Sequence, residues 1–141
     1  MPNFCAAALR HMSDSDSLSA DSSTNRADNA SQLAAYGAEC LLKGILQKSG
    51  ILTLSPSGKP NPPFDIHLNQ GPTKDLVMLY SASQSGAGSL PSLGATAFFS
   101  GWTISSRYEG PQFAGSTMHQ HQADANAFRS ILASALLKGQ I

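Results

Sequence analysis

"AAYGAECLLKGIL", residues Ala34 to Leu46, decides how this chain folds. Alanine, leucine and the unbranched charged side chains are good helix formers, and no proline interrupts the run. Extended outward, "RADNASQLAAYGAECLLKGILQKSG" carries Ala30, Leu33, Ala34, Gly37, Leu41, Gly44 and Ile45 at three- and four-residue spacing, the signature of an apolar helix face. Gly50 closes the segment, since glycine readily takes the left-handed conformation of a helix C-terminal cap, and Lys48 in the last turn suits the helix dipole. Into this apolar setting come Glu39 and Lys43, four apart with the acid first, so that their side chains meet on one face. On a solvated face such a pair is worth about 0.3 to 0.5 kcal/mol. With Tyr36, Ala38, Cys40, Leu41 and Leu42 around them, at least one of the two charges is expected to be partly desolvated. A pair held in that way is either a structural clamp or part of a ligand site.

The rest of the chain reads as further helices separated by breakers. Phe4, Ala8, Met12 and Leu18 form a weak stripe that predicts a first helix within residues 2 to 21, and Ser22 to Asn25 is a turn or cap cluster. "LSPSGKPNPPF", residues 54 to 64, holds four prolines and one glycine in eleven positions and predicts a stiff loop. A third helix is expected over residues 73 to 85, from a proline, Pro72, suited to a first helical turn and the apolar Leu76, Val77, Leu79 and Tyr80, and "SGAGSLPSLGATAFFSG" after it is an irregular connection. "WTISSRY", Trp102 to Tyr108, alternates like a strand but has no second strand to pair with. Met118, His121, Ala125, Phe128, Ile131, Leu132, Ala135 and Leu136 then predict a long helix from about Ser116 to Lys138. The expectation is an all-α, four-helix-bundle-like fold in a single domain over residues 1 to 141, with the second helix central. The small residues Ala30, Ala34, Gly37 and Gly44 admit a close helix neighbour, from this chain or from a second copy.

Composition narrows the function classes. Formal net charge is zero and charged residues make up 13% of the chain, so the general basic footprint of nucleic-acid binders is missing and any such site has to be local. Cys5 and Cys40 show neither a ligand spacing nor a disulfide framework. No stretch approaches the ~20 apolar residues of a membrane span, and the opening residues lack a signal-peptide pattern. A reduced, soluble, cytoplasmic protein without cofactor or metal is expected.

"RADNASQLAAYGAECLLKGIL", the proline-rich loop, "HLNQ" and "GWTISSRY" together resemble a branch of the HEPN superfamily, the higher eukaryotes and prokaryotes nucleotide-binding domain. The resemblance covers most of residues 26 to 108. It implies an up-and-down helical bundle, commonly a homodimer, often encoded beside a nucleotidyltransferase or in toxin–antitoxin systems. Many members are metal-independent ribonucleases marked by an arginine followed, after four to six residues, by a histidine. That spacing is absent here: Arg10 directly precedes His11, Arg26 and Arg129 have no histidine at the required distance, and Arg107 lies too far before His119. A non-catalytic binding or interaction module therefore fits better than a nuclease, because no general acid/base is evident.

Within that frame the candidate site is a polar set comprising Arg26, Asn29, Glu39, Lys43, His67, Trp102, Arg107 and Tyr108. Lys43 and Arg107 would offer cations to a phosphate, Trp102 or Tyr108 a stacking face, and Glu39 would hold the cations in place. The alternatives are a ribonuclease with a departed site, using Arg107 as phosphate clamp and His67 as acid/base, and a purely structural homodimer in which the set is scaffolding. His119 and His121, two apart, point roughly 200° from each other on a helix and do not share a metal. No P-loop and no Gly-x-Ser-x-Gly motif is present.

Overall fold

The computed structural model describes residues 3–19, 27–69, 75–87, 98–99, 102 and 115–137. Among them run four helices and no strand, only an isolated bridge between Leu54 and Pro60: α1 Phe4–Ser19, α2 Ala27–Lys48, α3 Leu76–Ala87 and α4 Gly115–Leu137. The all-α expectation holds. No helix among these residues is long and apolar enough to cross a membrane.

Local chemistry sets the helix ends. Asn3 caps α1, its Oδ1 accepting the Ala6 amide at 3.0 Å. Helix α2 ends in a Schellman motif: Ile51 N–H donates to Leu46 O at 3.0 Å, Gly50 N–H to Gln47 O at 3.1 Å, and Gly50 sits at φ 78°. Asp75, read from sequence as lying inside the third helix, is instead its N-cap; its Oδ1 accepts the Val77 amide at 3.0 Å. That carboxylate satisfies an orphan donor of the first turn and offsets the whole element toward the C-terminus of the predicted 73 to 85.

Helix α2 is the centre, and α1, α3 and α4 pack on it. Ala34, Ala35, Ala38, Leu41, Leu42, Ile45 and Leu46 are all buried, in one core with Leu76 and Tyr80 of α3 and with Phe128 and Ile131 of α4. Residues 49–69 fold back on themselves, with Ser55 N–H donating to Lys59 O at 2.8 Å and Asn61 N–H to Thr53 O at 2.9 Å. The prolines thus bound a compact turn, and its two ends press Leu52, Phe64 and Leu68 into the core. Phe98, Phe99 and Trp102 complete it, Phe98 meeting Phe128 edge-on at 4.8 Å. The rest of "GWTISSRY" beyond Trp102, and with it the expected alternation over 102 to 108, lies outside the described residues.

The helix admitted by the small residues of α2 belongs to the same chain. A Cβ at Gly37 would stand 2.6 Å from Met12 Cγ and 3.1 Å from the Ala8 carbonyl oxygen, and one at Gly44 would stand 2.6 Å from Cys5 Sγ. As α2 ascends from Gly37 to Gly44, α1 descends from Met12 to Cys5, so the two are antiparallel. Ser15 Oγ adds a buried bond to Ala30 O at 2.6 Å. Gly37→Leu is therefore expected to force α1 away and to lower stability by about 1 to 3 kcal/mol despite leucine's better helix propensity. Urea unfolding checks this, and an unchanged midpoint would contradict the close contact.

Candidate functional site

Tyr36, Glu39 and Lys43 follow one another at i, i+3 and i+7 on α2, along a face distinct from the glycine face. The chain returning from the proline-rich turn lays His67 and Leu68 over the middle of this stripe. His67 Nδ1 lies 3.0 Å from Glu39 Oε1 and 3.1 Å from Oε2, the Leu68 amide donates to Oε1 at 3.2 Å, and Lys43 Nζ stands 3.4 Å from Oε2. An ionised carboxylate only accepts, so the Glu39 contact assigns the Nδ1 position as the protonated ring nitrogen of His67.

These groups differ in their exposure. The Glu39 and Lys43 side chains are 11% and 9% exposed, that of His67 is 40%. A buried carboxylate survives only when its lone pairs are filled, and here a backbone amide, an imidazole and an ammonium fill them. Burial alone pushes the Glu39 carboxyl up; the His67 hydrogen bond, then the Lys43 charge, the His67 charge and the Leu68 amide outweigh it and hold the group below its ordinary 4.5. Lys43 is bound more loosely. Its 3.4 Å contact is long beside the 2.7 to 2.9 Å of a charge-assisted bond, and among the described residues Glu39 is its one partner. An ammonium with three donors thus sits in a nearly closed setting with a single long acceptor among the described residues.

Cys40, between the two charges in sequence, is no nucleophile. Burial and then the Glu39 carboxylate push its thiol from 9.0 to about 11, against the lowering fields of Lys43 and Arg10, which leaves it protonated near neutrality. His119 is exposed and His121 buried, on opposite sides of α4 as their spacing requires. Among the described residues no group of three or more His, Cys, Asp or Glu side chains is placed to hold a metal ion.

The structure divides the predicted set. Glu39, Lys43 and His67 come together. Asn29 does not: it is exposed near the start of α2, about 15 Å along the helix from Glu39, where it lines a shallow groove with Leu18, Gln32 and Leu33. Trp102 is 1% exposed, its ring meeting Tyr36 edge-on at 6.0 Å, so it has no face to stack on a ligand and acts as core. Arg26, Arg107 and Tyr108 lie outside the described residues.

Sequence reasoning missed the Leu68 amide and Asn69. Asn69 Nδ2 reaches the carbonyl oxygens of Phe98, Phe99 and Trp102 at 3.2, 3.1 and 3.1 Å. The one available signal was the residue type, since asparagine tolerates the left-handed backbone, here at φ 51°. Comparison of the chain with protein-family models, with curated proteins and with solved structures gives no match.

The depressed Glu39 carboxyl has a stability consequence. Folded, it binds protons less readily than when unfolded, so its contribution is complete above pH 4.5 and is lost as pH falls through the lower folded value. Acid titration of the unfolding free energy is expected to fall across that window in the wild type. Glu39→Gln, which leaves Lys43 buried without a counter-ion, should cost about 3 kcal/mol at neutral pH and flatten the acid limb. An acid limb of equal slope in both proteins would contradict this.

Proposed function

We propose that this protein is a non-catalytic helical binding module of the HEPN type, taking a phosphate-bearing ligand, a nucleotide or an RNA, at Lys43 and His67. The observation that carries the reading is the ammonium of Lys43, nearly buried yet with one 3.4 Å contact among the described residues, beside a His67 side chain 40% exposed and anchored through Nδ1. A phosphate oxygen is a strong acceptor for the Lys43 ammonium in a place where water competes weakly, and the half-exposed His67 ring lies beside it. Glu39 is the positioning residue: it orients the imidazole and balances the lysine when the site is empty. The resemblance supplies the ligand class and the setting, a homodimer acting with a nucleotidyltransferase-type partner.

Binding is favoured over cleavage. The arginine–histidine spacing that marks the nucleases of the resembled family is absent, and the Nδ1 of His67 is engaged by Glu39. The clamp reading also has an observation in its favour, the Leu68 amide bonded to Glu39. It accounts for Glu39 and for one donor of Lys43, and among the described residues it assigns no acceptor to the other two.

A thermal-shift screen against ribonucleoside mono- and triphosphates and short single-stranded RNAs tests the proposal, run on the wild type and on Lys43→Met. The variant should fold with near-native stability because Glu39 keeps His67 and Leu68. A bound ligand at a hundredfold excess over Kd is expected to raise the wild-type Tm by roughly 9 °C and to leave the variant unmoved. Equal shifts in both proteins, or none with any ligand, would overturn the site.

A further inference from the structure

We infer that His67, Leu68 and Asn69 couple this site to α3 and α4, so that filling it tightens the docking of both helices; the inference rests on the binding site proposed above and adds its regulation. Each of the three consecutive residues reaches a different part of the fold. The His67 side chain and Leu68 amide hold Glu39 of α2. The His67 carbonyl accepts the amide of Leu76, the first residue of α3, at 3.2 Å. Asn69 N–H donates at 3.3 Å to Asp75 Oδ1, the same oxygen that caps α3 through Val77. Asn69 Nδ2 gathers the carbonyls of Phe98, Phe99 and Trp102, and the Phe99 amide donates to Asp124 Oδ2 of α4 at 2.8 Å.

Backbone strain marks the same place. Asn69 and Phe99, joined by one of these bonds, stand at φ 51° and φ 54°. A left-handed non-glycine residue is strained and persists only where its surroundings over-determine it, a condition met at ligand clamps and switch regions. For Phe99, with its bulky side chain, the conformation depends on the carbonyl bond to Asn69 and the amide bond to Asp124. Loosening His67 therefore loosens a strained clip with contacts to two further helices. An anion that orders the imidazole works in the opposite direction, since a segment already ordered leaves less entropy for the elements bonded to it to lose.

Amide hydrogen exchange on the full chain, read by NMR, tests the coupling first without a ligand. In His67→Ala, exchange at Leu76, Val77 and Phe99 is expected to rise at least fivefold relative to Leu41 and Leu42 in the middle of α2. An unchanged ratio would overturn the coupling whatever the site binds. AMP is then the probe: it should slow the same amides in the wild type. In Asn69→Ala it should shift the His67 and Lys43 resonances while the remote amides stay unprotected. Shifts at His67 without slower remote exchange in the wild type would overturn the coupling and leave the binding reading standing. No AMP-induced shift at His67 would overturn AMP binding and ligand-driven regulation together.

Discussion

A carboxylate taken out of water has to be given hydrogen-bond donors, and the arrangement of this protein around Glu39 follows from that need. The donors come from three directions: Lys43 from one turn further along α2, His67 from a side chain across the loop, and Leu68 from the backbone itself. The backbone donor fixes where the chain returns from the proline-rich turn. With Leu68 N–H on the carboxylate, the Leu68 side chain enters the core and Asn69 is delivered to the left-handed position from which it holds Phe98, Phe99 and Trp102. Asp75 repeats the theme on a smaller scale, one carboxylate oxygen serving both the Asn69 amide and the start of α3.

Helix α2 carries two incompatible demands on two separate stripes. On the glycine stripe the need is contact, and Gly37 and Gly44 let the α1 backbone approach to distances no side chain permits. On the Tyr36, Glu39 and Lys43 stripe the need is polar satisfaction, and the partner is a loop, which can present backbone amides where a helix cannot. The result is a central helix buried nearly all round that still holds a charged cluster reaching solvent through one imidazole.

How much of this was legible follows the range of the interactions. Helices α2 and α4 announce themselves by periodicity, and the Schellman end of α2 by Gly50, because those signals are local. Glu39 and Lys43 could be paired from their spacing alone. The place of His67 could not: it lies 28 positions from Glu39, and only the path of the loop joins them. The Asp75 cap was written in the sequence as an aspartate immediately before an apolar run, and a neighbouring proline competed with it as the start signal. Trp102 was open between core and stacking platform because an indole serves both; burial decides for core. A backbone donor such as Leu68 N–H leaves no trace in residue identity at all.

The return of the loop onto α2 depends on the Glu39–His67 contact as an energetic link and not mere proximity. A double-mutant cycle of Glu39→Gln and His67→Ala, followed by chemical denaturation at neutral pH, measures it directly. A coupling of about 1 kcal/mol or more is expected between the two changes, as for side chains sharing one polar network. Free-energy losses that simply add, within about 0.3 kcal/mol, would contradict it and leave the loop held in place by the burial of Phe64 and Leu68 alone.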